Sequence, residues 1–268
     1  MAVSIFDLFK IGIGPSSSHT VGPMAAANQF LARLQRLGLL DDTMRIVVKL
    51  YGSLAHTGRG HGTDNALLLG LQGEQADTVD PDSIESSLER IRSERRLQLA
   101  GRRSIPFSEI DDLVFLTGEL LPRHSNGMRF EAWSAGGKLL DRRDYYSVGG
   151  GFVVNEDSAE KDRIVTDRTK LPYPFLSCDA LLETCKEHHM SIAEVMLANE
   201  QTWRSEFAVR SGLLHIYRTM KACMERGFSN EGTLPGGLGV VRRAPRLYRE
   251  LSTPRFNRGP GVAATSVD

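Results

Sequence analysis

The spacing of hydrophobic and polar positions divides the chain into two regions with different periodicities. Across residues 3–154, segments with an apolar stripe at helical spacing alternate with segments in which every second residue is apolar. These two periods are typical of amphipathic helices and half-buried strands. They predict helices over residues 22–37 and 82–99, and strands over residues 44–50, 112–116, 128–133 and 138–148. Gly136-Gly137 separates the last two strands, which indicates a hairpin and an α+β domain.

The second region contains only helical periodicity. Residues 155–174 are first charged and then interrupted by Pro172 and Pro174, which is typical of a linker. Helices are predicted over residues 178–188, 191–204 and 206–226, with Ser191 and Glu194 as a capping box. We therefore expect an α+β domain over 3–154, a linker over 155–174, a helical region over 175–251 and a disordered tail over 252–268.

Composition narrows the class of protein without identifying it. The 268 residues are 41% hydrophobic and 25% charged, and 33 basic residues balance 33 acidic ones. A neutral chain has no global charge to attract nucleic acid or a membrane surface. No apolar run reaches the roughly 20 residues that span a bilayer, and the first ten residues do not resemble a secretory signal. Three cysteines without an export signal favour the reducing cytoplasm.

A first candidate site lies in residues 13–23, where hydroxyl side chains are concentrated between glycine and proline. Ser16, Ser17, Ser18 and Thr20 precede the predicted helix, so their hydroxyls and the helix N–H groups can point at one carboxylate. His19 adds a group that exchanges a proton near neutral pH. The alternative is an ordinary helix start at which Ser18 or Thr20 is the cap.

A second segment, residues 51–64, repeats this mixture of glycine, hydroxyls and histidine. It lies between the strand over 44–50 and a helix predicted over 66–71, and a polar loop between rigid elements is a common site geometry. His61 is a candidate base that Asp64 would orient, with Thr63 beside them. The alternative is that Asp64 caps the helix and that His56 is a surface residue.

Six segments in order, taken together, resemble the iron–sulfur-dependent L-serine dehydratases of the single-chain bacterial type. They are the two loops above and residues 121–130, 145–152, 172–175 and 230–238. The resemblance implies an N-terminal β domain of the allosteric-substrate-binding type, followed by the start of an all-helical catalytic domain. It also implies a cytoplasmic enzyme that acts on L-serine, without nucleic acid or membrane partners, and that forms a homodimer.

The resemblance implies L-serine ammonia-lyase activity, in which serine loses water and then ammonia to give pyruvate. A 4Fe–4S cluster would act as the Lewis acid on the substrate. His61 is the first candidate for the base and His19 the second. The substrate-binding residues would be drawn from the two loops and from two later segments: Ser16, Ser17, Ser18, Thr20, Thr63, Asn126, Ser147, Gly149 and Gly150.

The chain departs from this family pattern near its end, where the resemblance fades after about Leu251. We interpret this as a truncation within the catalytic domain, with the cluster cysteines expected downstream. Cys178, Cys185 and Cys223 lack the close spacing typical of cluster ligands, so we predict buried structural cysteines and no metal ligands here. The alternative functions are a non-catalytic serine-binding or regulatory module and an inactive fragment.

Overall fold

The computed structural model describes residues 4–155, 169–234 and 239–253. It divides into two compact units, Met1–Gly212 and Leu213–Asp268. The first unit contains strands and helices, and the regular elements described in the second are helices and an isolated bridge between Thr233 and Val241. This architecture is compatible with an α+β domain followed by helices.

The centre of the first unit is a mixed five-stranded sheet. Its strands are β1 (Arg45–Tyr51), β4 (Leu113–Leu116), β5 (Gly127–Trp133), β6 (Leu139–Gly149) and β7 (Phe152–Asn155). The strand order is β4-β1-β5-β6-β7. β1 runs parallel to β4 and antiparallel to β5, and the remaining pairs are antiparallel. A separate antiparallel pair consists of β2 (Arg96–Leu99) and β3 (Arg103–Pro106).

Ten α-helices and two short helical turns occur in the described residues. The helices are α1 (Ile5–Leu8), α2 (Gly22–Arg36), α3 (Gly52–Thr57), α4 (Thr63–Leu71), α5 (Ile84–Glu94), α6 (Glu109–Asp112), α7 (Cys178–Glu187), α8 (Ile192–Glu200), α9 (Glu206–Ser229) and α10 (Ala244–Ser252). A π-helical turn, Ser17–Val21, leads directly into α2, and a 3₁₀ turn, Arg59–His61, lies between α3 and α4. None of the described helices is long and apolar enough to cross a membrane.

The core forms where α2 packs against the sheet. Phe30 on α2 meets Phe130 on β5 at a ring-centroid distance of 5.3 Å, and Phe130 meets Tyr145 on β6 edge to face at 5.5 Å. Helix α4 packs closely on α2 at Gly70, where an added Cβ would lie 2.7 Å from the carbonyl oxygen of Met24. This layered packing of α4 on α2 and of α2 on the sheet fixes the start of α2, where the candidate site lies.

Several predicted elements agree with the structure within one to three residues. These are the helix over 22–37, the strand over 44–50, the helix over 66–71 and the hairpin formed by β5 and β6. The Ser191 capping box is also confirmed, because Ser191 Oγ accepts from the Glu194 amide while the Glu194 carboxylate accepts from the Ser191 amide. Periodicity and cap chemistry depend on residues close together in the sequence, so elements predicted from them are retained in the folded chain.

Two predictions about local structure are wrong. The helix predicted over 82–99 ends at Glu94, because Arg95 adopts a left-handed conformation with φ of 50° and the chain then enters β2. Leu97 and Leu99 are fully buried there instead of lying on a solvated helix. The polar segment 51–64 is also more ordered than predicted, since it contains α3 and the 3₁₀ turn.

The prediction of buried cysteines is wrong at two positions. Cys178 and Cys223 are exposed, and only Cys185 is partly buried. Cys178 is the first residue of α7, so it has no neighbouring helical turn on its N-terminal side to cover it. The prediction failed because helical periodicity identifies an apolar stripe without showing what packs against it.

The N-terminus is fixed to α8 by one buried carboxylate. Glu200, which is 2% exposed, accepts hydrogen bonds from the Ser4 hydroxyl and the Ile5 amide, and Arg204 pairs with the same carboxylate at 3.2 Å.

In the second unit, the rings of Phe228 and Tyr248 stack at a centroid distance of 4.2 Å. Most of the predicted linker and tail lies outside the described residues.

Candidate functional site

Ser16 caps the π-helical turn that leads into α2, upstream of both caps considered from the sequence, and α2 itself has no side-chain cap. Ser16 Oγ accepts a hydrogen bond from the His19 amide at 3.1 Å, and the Ser16 carbonyl accepts from the amides of Thr20 and Val21. The Ser17 and Ser18 amides make no hydrogen bond within the described chain. Free amides at a helix N-terminus attract anions, because they carry partial positive charge and need acceptors.

His19 is held between two serine hydroxyls. Its Nδ1 lies 2.9 Å from Ser18 Oγ, and its Nε2 lies 3.1 Å from Ser53 Oγ at the start of α3. Each hydroxyl can donate or accept, so this arrangement supports either neutral tautomer of the ring. The contact with Ser53 also joins the first loop to the second.

Two threonines connect the candidate loops reciprocally. Thr20 Oγ1 donates to the His61 carbonyl at 2.9 Å, and Thr63 Oγ1 donates to the His19 carbonyl. As a result, the rings of His19 and His61 lie 4.9 Å apart, tilted by 40°. The structure therefore brings together His19, His61, Thr20 and Thr63, and it commits both threonine hydroxyls to holding the loops.

The orientation of His61 is set by a backbone carbonyl. His61 Nδ1 lies 2.9 Å from the Thr57 carbonyl oxygen, which can only accept, so Nδ1 carries the hydrogen. In the neutral ring, Nε2 then has a free lone pair, and this nitrogen makes no hydrogen bond with the described residues. Asp64, considered from the sequence as the orienting group, instead accepts from the Asn65 amide at 3.0 Å.

The environment of His19 disfavours its charged form. Burial lowers the pKa of the His19 imidazole below its usual 6.5, and the neighbouring His61 lowers this pKa further, while a hydrogen bond with Ser53 opposes both effects. His19 is therefore mostly neutral at pH 7.

The lowered pKa of His19 predicts a loss of stability in mild acid. Below pH 6.5 the unfolded chain protonates His19 while the folded chain does not, so the free energy of unfolding falls as the pH decreases toward the folded-state pKa. Urea unfolding at pH 7.5 and 5.5 measures this effect. The decrease should be smaller in His19→Gln, and an equal decrease in both proteins would contradict it.

Asn126 and Ser147 form a buried polar pair beside the start of α2. The Asn126 side-chain amide donates to the Ser147 carbonyl, and the Ser147 amide donates to the Asn126 carbonyl, both at 3.1 Å. Asn126 Oδ1 and Ser147 Oγ are buried without a hydrogen-bond partner among the described residues. Ser147 also touches Gly22, where an added Cβ would lie 2.0 Å from Ser147 Oγ.

The glycines predicted to bind substrate lie at the end of β6 (Gly149) and in the turn that leads to β7 (Gly150). Gly149 and Gly150 have φ values of 100° and 59°, which explains why this turn uses glycine. The adjacent Gly151 lies beside Val21, since its added Cβ would be 3.0 Å from that side chain. The turn therefore contacts the end of the π-helical turn that carries His19.

Sequence analysis missed the roles of Ser53 and Thr57. Both belong to the glycine-rich segment 51–64, and both act through α3, which the sequence analysis did not predict. The helix places Ser53 toward His19 and the Thr57 carbonyl toward His61. A helical prediction for residues 52–57 would have shown that Thr57 and His61 lie four residues apart, close enough for this contact.

The described residues contain no group of three or more histidine, cysteine or acidic side chains that could hold a metal ion. The three cysteines lie on α7 and α9, and the candidate site itself supplies hydroxyls, amides and two imidazoles. Cluster ligation by cysteine thiolates needs several thiolates around one centre. The donor set of the described residues therefore does not fit an iron–sulfur cluster.

Free amides at the start of a helical segment lie beside two histidines from two glycine-rich segments, an arrangement chemically suited to anion binding and proton transfer. The sequence profile of the serine dehydratase beta chain family matches residues 4–158. The chain belongs to this family, which confirms the resemblance to L-serine dehydratases.

Three relatives give the extent of the similarity. An L-serine dehydratase of Streptomyces coelicolor is 52% identical over 94% of this chain. L-serine dehydratase 1 and L-serine dehydratase TdcG of Escherichia coli are 42% and 45% identical over 96% and 93% of it. The matched regions cover 55%, 56% and 54% of these relatives, so the chain spans about half of their length.

Proposed function

We propose that this chain binds L-serine and takes part in its dehydration and deamination to pyruvate and ammonia. The observation that carries the proposal is the pair formed by His19 and His61, 4.9 Å apart at the start of α2. The relatives named L-serine dehydratase support the choice of substrate. Fold and site alone support only the recognition of a small carboxylate with proton transfer.

The substrate carboxylate is assigned to the start of the helix. The free amides of Ser17 and Ser18 offer two donors at its positive end, and the hydroxyls of Ser16 and Ser18 lie within 3.3 Å of each other beside them. Asn126 and Ser147 are also assigned to substrate binding. Their buried side-chain oxygens lack a partner among the described residues, and a bound polar ligand or water would satisfy them. Gly149 and Gly150 support this region from the end of β6 and the turn that leads to β7.

The proton transfer is assigned to His61. Its Nε2 lone pair would accept the proton from the α-carbon of serine, and the Thr57 carbonyl would stabilise the resulting imidazolium through Nδ1. The substrate hydroxyl would take this proton back from the His61 imidazolium as the bond between the β-carbon and oxygen breaks, so that it leaves as water. The aminoacrylate product then hydrolyses to pyruvate and ammonia. His19, held neutral by its surroundings and hydrogen-bonded to a serine hydroxyl at each ring nitrogen, is the second candidate for the base.

Other parts of the proposal rest on the family resemblance. It implies a 4Fe–4S cluster that supplies Lewis-acid chemistry, but the described donor set does not fit one, so no step is assigned to a cluster here. A homodimer remains a prediction on the same basis, and a cytoplasmic location and domain boundaries at residues 154, 174 and 251 remain predictions from the sequence.

Substrate binding gives the direct test. Saturating L-serine should raise the melting temperature of the chain by several degrees, because a ligand that binds only the folded state stabilises it. D-serine should raise the melting temperature less, because its hydroxymethyl group lies where L-serine has its α-hydrogen. Absence of any L-serine effect would contradict the proposal.

Turnover is tested separately, by assaying pyruvate after anaerobic incubation with iron and sulfide. Pyruvate formation would support the catalytic proposal. Binding without pyruvate would favour the alternative of a serine-binding or regulatory module.

A further inference from the structure

A groove lies at the opposite end of β1 from the histidine pair. It is open to solvent and has a volume of about 910 Å³ between the start of β1, the β5–β6 hairpin turn and the junction of β3 with α6. The histidine site begins where β1 ends, at Gly52. Because β1 has seven residues, the two ends are roughly 20 Å apart at about 3.3 Å per residue. One small ligand therefore cannot occupy both places.

The groove has apolar walls. Met44, Phe107 and Trp133 are among the residues that line it, and Phe107 is almost fully buried. The pairing register of β5 with β6 shifts between Ala132 and Trp133, and such irregularities redirect the side chain that carries them. Trp133 Nε1 is buried and has no hydrogen-bond partner in the described part of the chain. The indole is therefore held by packing, without a polar contact that would fix its orientation.

Two arginines and two carboxylates line this groove, and Arg45 forms an ion pair with Asp112. Arg45 donates to Asp112 at 2.6 Å and to the Asp111 carbonyl, and Ser108 donates to both carboxylates. Arg95 also lines the groove, yet its exposed guanidinium makes no hydrogen bond or ion pair with any described residue. It stands at the left-handed position that ends α5, where glycine is the usual residue.

We propose that this groove binds a small carboxylic acid with an apolar or aromatic body. The carboxylate pairs with Arg95, whose five N–H donors suit a two-point contact with a planar anion. The apolar body lies against Trp133 and Phe107, where the arginine also permits stacking. L-serine does not satisfy this site, since its side chain has no apolar surface to bury. The groove is therefore a ligand site distinct from the proposed substrate site.

The test uses 3-phenylpropionate as the probe, titrated into the full chain. Saturable binding, measured by calorimetry and by a change in Trp133 fluorescence, is expected. Trp133→Phe isolates the signal of the second tryptophan, Trp203. Arg95→Ala should raise the dissociation constant about tenfold or more, which is typical for loss of a charged hydrogen-bonding partner. Arg102→Ala removes an exposed arginine of the β2–β3 hairpin that does not line the groove, and it should have no effect.

Further variants and probes separate the proposal from its alternatives. Arg95→Gly removes the same charge while relieving the positive φ, so it should weaken binding even if Arg95→Ala folds poorly. The neutral 3-phenylpropanol and the short propionate should both bind more weakly than 3-phenylpropionate. His61→Ala should bind the probe normally. No saturable binding, equal binding by Arg95→Gly, or loss of binding in His61→Ala would each overturn the proposal.

Discussion

Replacing His61 with alanine is expected to lower pyruvate formation from L-serine by about 10²- to 10⁴-fold, the usual contribution of a positioned general base. L-serine affinity should change little, because the proposed carboxylate contacts come from Ser17 and Ser18 instead. The physical reason is the fixed tautomer: Nδ1 donates to the Thr57 carbonyl, so Nε2 is the basic nitrogen. Alanine removes that nitrogen and leaves the backbone contact between the His61 carbonyl and Thr20 in place.

Two measurements make this result specific to proton transfer. The first is exchange of the serine α-hydrogen for deuterium in heavy water, followed by NMR, which reports the base even where dehydration is slow. The second is the same assay on His56→Ala, since His56 is an exposed histidine in the same segment. Near-normal exchange in His61→Ala would contradict the assignment, and in that case His19→Ala should be inactive if His19 is the base.

The composition of the two loops could be recognised from sequence because each loop is short and its signal is local. Glycine, hydroxyl and histidine residues lie within about a dozen positions in both segments, next to elements with clear periodicity. The contacts between the loops could not be predicted in the same way. Thr20 reaches the His61 carbonyl across 41 positions, and His19 reaches Ser53 across 34. Only the packing of α2 and α4 brings these partners together.

The errors in the sequence analysis have physical causes of two kinds. At Arg95, a non-glycine residue in a left-handed conformation ends a helix that periodicity alone would continue, and pairing of Leu97 with Ile105 favours the strand. At Cys178 and Cys223, the sequence indicated an apolar helix face, but the described chain supplies no cover for those side chains. Local pattern predicts the element, and tertiary contacts decide its length and what it buries.

Gly52→Ala is expected to destabilise the fold by roughly 3 kcal/mol and to disrupt the histidine site. Gly52 has φ of 53°, a conformation that costs a non-glycine residue about 1–3 kcal/mol. An added Cβ would lie 2.3 Å from the Ser125 carbonyl oxygen, and overpacking of this kind costs about 1–3 kcal/mol more. The backbone cannot easily move away, because the Gly52 amide donates to the Glu119 carbonyl and the Ser53 amide to the Ser125 carbonyl.

Gly52→Ala should also weaken L-serine binding, because it displaces Ser53. Any shift of the start of α3 moves the Ser53 hydroxyl away from His19 Nε2, now 3.1 Å distant, so L-serine binding should weaken together with stability. Gly60→Ala is the matched control, since Gly60 lies in the same segment, has no positive φ and has open space around its added Cβ. Urea unfolding and L-serine calorimetry on both variants measure the two effects. Equal unfolding free energies for the two variants would show that the contact between Gly52 and Ser125 does not constrain the start of α3.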